Sequence, residues 1–321
     1  MEETRDSKPR PKNMRRMRVK LIFNPGSGAA DESPVQLMDV ISEMQAWKFV
    51  PEAYLVEPDC DLPAVVQDAL KDGIRMFVVC GGDGTIDVVA GALVGENATL
   101  GIIPTGTQNN VALSLGIPTD IPSAIALLRT GQRIKVDSGL AACGEVKRPF
   151  LEFCSVGLFS ALYPAGDDIQ HGNIGRLGDF LATLVTSPPA EMRLVLDGKQ
   201  EIQILCHMVL VSNTPFIGPH YQIGSPASFN DGLLDVHLFA DLSKLDLLSN
   251  IVQVAAGGSE DPRIQHYRVR KVDIDSHPAL PVMADGIALG EGPLRIHLRR
   301  HNLAVMASEP VGQTPTSQGR P

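Results

Sequence analysis

Between residues 18 and 137, short apolar runs alternate with longer stretches in which apolar residues recur at helical spacing. The runs are rich in β-branched residues and predict buried strands that begin near Val19, Val50, Arg75, Thr99 and Arg133. The stretches between them predict helices over residues 35–47, 62–71, 85–94, 108–115 and 121–129. Strands that alternate with helices indicate a doubly wound parallel sheet.

The pattern changes after Asp137, where strands follow one another with few helices between them. Strands are predicted at residues 150–156, 192–196, 202–212, 234–239, 267–274 and 294–298, and helices at 175–186 and 244–252. We therefore predict an α/β fold in which an N-terminal doubly wound parallel-sheet domain spans residues 18–138 and a C-terminal β-rich sandwich domain spans 139–306. A basic arm at 1–17 and a disordered tail at 307–321 flank them.

A glycine-rich turn, Gly81-Gly82-Asp83-Gly84-Thr85, lies between a predicted strand and a predicted helix. Glycine lets backbone N–H groups approach a ligand closely, and a helix start attracts anions, so the turn predicts a phosphate site. No Lys-Ser or Lys-Thr pair follows, and Asp87 stands where a dinucleotide-binding turn has its third glycine, which excludes two common phosphate-binding motifs. The alternative is a tight turn in which Asp83 or Thr85 caps the helix.

Two further loops of small and polar residues also follow predicted strands. They are Asn24-Pro25-Gly26-Ser27-Gly28 and Pro104-Thr105-Gly106-Thr107-Gln108-Asn109-Asn110. Loops at the carboxyl ends of parallel strands gather at one edge of the sheet and form a crevice. The three loops together favour a binding site over three unrelated turns.

The ordered set of motifs resembles the diacylglycerol kinase catalytic-domain superfamily, in its bacterial lipid-kinase branch, with sphingosine, ceramide and, more distantly, NAD kinases as relatives. The matching residues are the three loops and, later in the chain, Asn213, Pro226-Ala227, the run from Asp231 to Asp235, and Asp285-Gly286. The resemblance covers residues 18 to 306. It implies a nucleotide domain followed by a β-rich domain, with the active site between them and the last strand, near 303–306, returning to the first domain.

The activity that the resemblance implies is transfer of the γ-phosphate of ATP to a hydroxyl of diacylglycerol or a related lipid, with Mg²⁺. The implied nucleotide-binding residues are Asn24, Ser27, Gly81, Gly82, Asp83, Gly84, Thr85, Ile86, Asp87, Thr107 and Asn109. Asp83 is expected to contact the catalytic Mg²⁺ through water, since this ion keeps part of its hydration shell. A second, structural cation is implied at Ser228, Asp231 and Leu233, where the alternative is an ordinary Asp-Gly hairpin turn.

The catalytic base is expected at Asp285, in a turn that reads Asp-Gly-Glu in the family. Here Ile287 occupies the third position, and isoleucine cannot accept a proton. Either Asp285 is the base, or Glu291 replaces it from the next turn, or catalysis is impaired. Two further departures, Asn110 for a family aspartate and Leu113 for a family arginine, point to weakened activity as well. Competing functions are phosphorylation of a soluble acceptor, as in NAD kinases, and nucleotide or lipid binding without catalysis.

Composition narrows the class of partner. The net charge of −9 argues against bulk binding of nucleic acid, and no apolar run is long enough to span a bilayer. No signal-peptide core is present, and the cysteines lack metal-ligand spacing, so a cytoplasmic protein is predicted. The basic residues of the arm predict either a solvated tail or contact with an anionic membrane surface, where the lipid substrate would lie. The sequence does not define an oligomeric state.

Overall fold

The computed structural model describes residues 14–27, 33–163, 175, 177–214, 216–217, 221–222, 229–240, 242–255 and 261–308. Several sequence predictions therefore lie outside the described residues. They are the first 13 residues of the arm, Gly28, Pro226-Ala227, Ser228 and the tail from residue 309. Within the described part, no helix is long and apolar enough to cross a membrane.

The N-terminal domain is a parallel sheet covered by helices, which confirms the predicted fold class. Its strands are β1 (Met17–Phe23), β2 (Phe49–Leu55), β3 (Met76–Gly81) and β4 (Thr99–Pro104), in the spatial order β4-β3-β1-β2. Its helices are α1 (Ser33–Ala46), α2 (Leu62–Lys71), α3 (Asp83–Leu93), α4 (Asn110–Ser114) and α5 (Ile121–Thr130). Every residue of β3 and β4 is buried, because helices cover both faces of a doubly wound sheet.

The C-terminal domain is rich in antiparallel strands, as predicted. Its strands are β5 (Gln132–Cys143), β6 (Val146–Phe150), β7 (Phe153–Gly157), β8 (Ala190–Leu196), β9 (Gln200–Ser212), β10 (Phe216–Ile217), β11 (Tyr221–Gln222), β12 (Leu234–Ala240), β13 (Ile264–Val269), β14 (Lys271–His277), β15 (Pro281–Ala284), β16 (Ile287–Glu291) and β17 (Leu294–Ala307). Its helices include α6 (Leu177–Thr186) and α7 (Lys244–Ala255), and residues 158–163 are also helical.

Two strand predictions differ from the structure. The strand expected near Arg133 is β5, which pairs antiparallel with β17 and β6 instead of joining the parallel set. The single strand expected at residues 267–274 is two strands, β13 and β14, which pair with different neighbours. The chain changes partners at Arg270, where the carboxylate of Asp197 accepts hydrogen bonds from the N–H groups of Arg270 and Lys271, both at 2.9 Å.

The long strand β17 belongs to the sheets of both domains. It pairs with β5 along both halves, its first half also pairs with β14, and near its end Val305 pairs in parallel with Leu100 of β4. The ladder between β17 and β5 shifts register between Arg299 and Leu303, and His301 there has a positive φ of 51°. The strands of the two domains therefore form one continuous sheet through β17.

Asp137 ties this junction together from a buried position. Its carboxylate accepts hydrogen bonds from the N–H groups of His301 at 2.7 Å and Gly232 at 2.9 Å, while its carbonyl accepts one from the Asn213 amide at 3.1 Å. The Asp137 side chain is 1% exposed. One residue thus fixes three segments that are distant in sequence.

Candidate active site

The three loops identified in the sequence meet at the carboxyl ends of β1, β3 and β4. The Asn24 amide donates a hydrogen bond to the Thr85 hydroxyl at 2.8 Å. The Ser27 and Thr105 hydroxyls are also hydrogen-bonded at 2.8 Å, and the N–H of Thr105 donates to the carbonyl of Gly81 at 3.1 Å. The crevice expected from the topology is therefore lined by loops that are bonded to one another.

Two glycines allow the central loops to touch. A Cβ atom added to Gly106 would lie 2.5 Å from the Cα of Gly82, closer than real Cβ atoms approach a backbone atom. Asn109, which is in the left-handed conformation with a φ of 55°, closes its own loop by bonding both the N–H and the carbonyl of Gly106. Thr107 is left exposed at the tip of that loop.

Asp83 holds α4 and does not cap α3. The N-cap of α3 is Gly82, and no side chain makes a capping bond there within the described structure. The Asp83 carboxylate instead accepts hydrogen bonds from the N–H groups of Asn110 at 3.0 Å and Val111 at 3.2 Å. The capping alternative is thus not what the structure shows, and the positive end of the α3 dipole has no side-chain cap at Gly82.

Four carboxyl groups converge where the loops face the β-rich domain. Asp83 and Asp87 come from α3, while Glu152 and Asp285 come from the other domain. Burial is the largest cause of the raised pKa of each group, and the neighbouring carboxylates raise the pKa of Asp87 and Glu152 further. The positive charge of Arg148 opposes this effect at Asp87 and Asp285. The four acids are thus crowded together at the domain junction, where burial favours their neutral forms and Arg148 favours the ionised forms of Asp87 and Asp285.

Asp285 is buried and bound to the backbone of the segment that precedes β7. Its carboxylate accepts hydrogen bonds from the N–H groups of Leu151 at 2.7 Å, Glu152 at 3.1 Å and Phe153 at 2.9 Å. Burial raises the pKa of Asp285 to about 6 although these three donors lower it. The residue has a φ of 42°, and Gly286 after it has a φ of 75°, as a tight turn between β15 and β16 requires.

The proposed substitute base, Glu291, is far from this cluster. It is exposed and ends β16, four residues beyond Ile287. Since a strand rises about 3.3 Å per residue, the two positions are about 13 Å apart. The Ile287 side chain is 45% exposed and carries no group that could accept a proton.

Sequence analysis did not single out Glu152. The signal was present, because a carboxylate interrupts the apolar run Phe150-Leu151-Glu152-Phe153 that was predicted to be a buried strand. The side chain is 4% exposed. Buried glutamates are rare unless they are paired or functional, so this position marks the site as clearly as the glycine motifs do.

The residues at the domain junction fit a divalent cation. The Oδ1 atom of Asp87 is buried and has no hydrogen-bond partner among the described residues. Hard cations such as Mg²⁺ prefer carboxylate oxygens and retain water. Asp83 and Asp87 are therefore the residues that would hold the ion, where it would neutralise phosphate charge.

At the second expected cation site, an arginine side chain pairs with the carboxylates. The Asp231 carboxylate pairs with the guanidinium of Arg268, which also lies 3.3 Å from the carboxylate of Asp235. The N–H of Leu233 donates to Asp231 Oδ1 at 3.0 Å, as in an Asp-Gly turn. These residues do not fit an added cation as they stand, so a metal there stays a prediction and no chemical step is assigned to it.

Each of the two domains matches a known protein family. Residues 18–141 match the diacylglycerol kinase catalytic domain, and residues 177–307 match the YegS C-terminal NAD kinase beta sandwich-like domain. A protein of Mycobacterium tuberculosis (strain ATCC 25618 / H37Rv) named diacylglycerol kinase is 30% identical over 223 residues, which cover 68% of this chain and 72% of that protein.

Solved structures share the fold. A putative diacylglycerol kinase from Bacillus anthracis superimposes with a TM-score of 0.75 at 24% identity, covering 91% of this chain and 97% of that one. An NAD kinase from Archaeoglobus fulgidus in complex with ATP superimposes with a TM-score of 0.53 at 14% identity, covering 91% of this chain and 94% of that one. With the family match in both domains, this architecture shows that the chain belongs to the diacylglycerol kinase catalytic-domain family.

Proposed function

We propose that the protein is an ATP-dependent lipid kinase that transfers the γ-phosphate of ATP to a hydroxyl of diacylglycerol or a related lipid. The observation that carries the proposal is the position of the buried carboxyl cluster. It faces three mutually bonded, glycine-rich loops across the junction of the two domains. Phosphoryl transfer needs this combination of a phosphate cradle, a cation site and a proton acceptor.

On the nucleotide side, the loops provide backbone donors and little side-chain bulk. The nucleotide-binding set that we propose is Asn24, Ser27, the run Gly81–Asp87, Thr107 and Asn109. The uncapped start of α3 would face the phosphates, because its N–H groups and dipole favour anions. Mg²⁺ held near Asp83 and Asp87 would neutralise charge that develops on the phosphates.

On the acceptor side, an aromatic cluster adjoins the turn that carries Asp285. The ring of Phe153 lies 5.5 Å from that of Phe159 and 6.2 Å from that of Tyr163. A Cβ atom added to Gly286 would lie 3.1 Å from the Tyr163 ring. Phe153 is buried, whereas Phe159 and Tyr163 are half-buried and present apolar surface near a buried acid. Such a surface suits an acceptor with acyl chains and a hydroxyl, which supports a lipid substrate.

The test is transfer of labelled γ-phosphate to diacylglycerol and other hydroxyl lipids in mixed micelles, with Mg²⁺ or with EDTA. We expect lipid phosphorylation that requires Mg²⁺. Asp83→Ala should abolish nearly all of it while the protein stays folded, because both the cation contact and the α4 hydrogen bonds are lost.

Other outcomes separate the competing functions. Phosphorylation of NAD but of no lipid would identify an acceptor of the NAD kinase type. Tight binding of ATP with no transfer to any acceptor would indicate a binding protein that does not catalyse. Full turnover by Asp83→Ala would remove that residue from the site.

A further inference from the structure

We propose that Glu152 accepts the proton of the attacking hydroxyl and that Asp285 acts as a positioning residue behind it. The inference rests on the proposed kinase function. It replaces the sequence-based expectation that Asp285 itself is the base. The supporting observations are the bonding of Asp285, the fixed backbone of Glu152, and the burial of its side chain near Asp83 and Asn110.

The carboxylate of Asp285 is already occupied. Its two oxygens offer about four lone pairs, and three backbone N–H groups use most of that capacity. A base must have a free lone pair within hydrogen-bond reach of the substrate proton. The geometry of Asp285 suits an anchor for the segment 151–153 better than a group that receives protons.

The backbone of Glu152 is fixed on both sides. Its N–H donates to Asp285 Oδ1 at 3.1 Å, and its carbonyl accepts from the N–H of Asn213 at 2.8 Å. The Asn213 amide also donates to the carbonyl of Leu151 at 2.9 Å. Asp285 and Asn213 therefore hold the backbone of Glu152 in place, which helps to position its side chain as a catalytic group requires.

The side chain of Glu152 reaches from the β-rich domain to the nucleotide loops. The side chain of Asn110, the first residue of α4, lies close enough to lower the pKa of Glu152. The N–H of the same asparagine bonds to Asp83, so the Glu152 carboxylate stands beside the loop that we assign to the phosphates. The family has an aspartate where this chain has Asn110. With an amide there, Glu152 is the carboxylate beside this loop from the β-rich domain, so the substitution has a physical role.

The charged neighbours of Glu152 strengthen its carboxylate as a proton acceptor. Asp83 and Asp285 raise its pKa after burial itself, and Asp87 lies close enough to interact with it. Arg148 faces Asp87 and Asp285 from β6. A carboxylate with a raised pKa is a stronger base while it is ionised.

The step balances as a simple displacement. A lone pair of the lipid hydroxyl forms a bond to the γ-phosphorus, and the bond from that phosphorus to the bridging oxygen breaks with its electrons on ADP. The hydroxyl proton passes to the Glu152 carboxylate, which later returns it to solvent. No other co-reactant is needed.

The experiment compares four variants in the lipid kinase assay with ATP binding measured separately. Glu152→Gln keeps the size and removes the base, so we expect kcat to fall by about 10²–10⁴-fold with ATP affinity nearly unchanged. Glu152→Asp should recover part of the rate and retain the acid limb of the pH profile. Glu291→Gln is the matched control and should keep the wild-type rate.

Asp285→Asn distinguishes an anchor from a base. If it is an anchor, the acid limb of the kcat profile persists and moves to lower pH, because one negative charge next to Glu152 is removed. Loss of that limb in Asp285→Asn would overturn the inference, and so would near-wild-type kcat in folded Glu152→Gln or a collapse in Glu291→Gln. Absence of lipid phosphorylation by the wild-type protein would instead overturn the proposed function, and this inference with it.

Discussion

At the scale of single residues, the site is defined by carboxylates that are held out of water. Asp87 is 8% exposed, and its pKa is raised well above the ordinary value by burial and by three neighbouring acids. Such a group is costly to ionise without a partner. Ionisation of these acids therefore destabilises the folded protein, and a bound cation would reduce that cost. Metal binding and stability are thus linked.

A stability measurement can detect this charge. Asp285 has a pKa of about 6 in the folded protein against an ordinary 3.8. The stability that its protonated form contributes is therefore fully present below pH 4 and is lost as pH rises through 6. Asp87 and Glu152 act in the same direction. Without metal, we expect the free energy of unfolding to decline between pH 4 and pH 7, as followed by urea titration.

Asp87→Asn is the variant that checks the cause. Removing one charge should reduce the loss of unfolding free energy between pH 4 and pH 7. At pH 7.5, Mg²⁺ should raise the melting temperature of the wild-type protein more than that of the variant. Equal responses of the two proteins to pH and to Mg²⁺ would contradict the account.

Much of the site at this scale could be predicted from the sequence. Gly82, Asp83 and Asn24 belong to local motifs, because a turn after a strand is specified by neighbouring residues. The contacts of Asp285 could not be predicted, since its three donors lie more than 130 residues away. Only the fold shows that its carboxylate is bound to the backbone.

At the scale of elements, the contact between two glycine loops sets the width of the proposed phosphate site. The loop after β3 and the loop after β4 touch at Gly82 and Gly106. A side chain at either position would separate them. The close approach of the two loops therefore requires that neither Gly82 nor Gly106 carries a Cβ atom.

Gly106→Ala tests this dependence. Its Cβ would lie 2.5 Å from Gly82 Cα and 3.0 Å from Asn109 Oδ1, so the loops must move apart. We expect ATP affinity to fall at least about tenfold, which is about 1.4 kcal/mol, as measured by calorimetry. Gly178→Ala, where an added Cβ meets nothing within 4 Å, is the control and should bind ATP as the wild type does.

Periodicity predicted the helices and parallel strands of the first domain because each is specified locally. It failed at β13 and β14, where residues 267–274 look like one continuous strand. The break at Arg270 depends on the distant carboxylate of Asp197. Periodicity also did not identify β6, β15 and β16, which are short and depend on their neighbours in the sheet.

At the scale of the whole molecule, Asp137 and β17 join the two domains. The Asp137 carboxylate binds two backbone N–H groups in the interior. Asp197 also binds two, at the surface. The two residues are therefore a matched pair that differs mainly in burial.

Truncation of each residue should show the difference. Asp137→Ala leaves buried donors without an acceptor, and we expect it to lower the free energy of unfolding by about 2–4 kcal/mol. Asp197→Ala exposes its donors to water and should cost about 1 kcal/mol or less. Chemical unfolding measures both values, and equal losses would show that the Asp137 junction does not stabilise the fold as described.

The continuity of β17 also governs how the cleft can open. Because one strand carries hydrogen bonds of both domains, the domains cannot slide past each other without breaking the pairing of β17 with β4 or with β14. The register shift between Arg299 and Leu303, beside the positive φ of His301, is the place where this ladder is already interrupted. We expect the two domains to rotate about this interruption, which lies beside Asp137 and is linked through Asn213 to the backbone of Glu152.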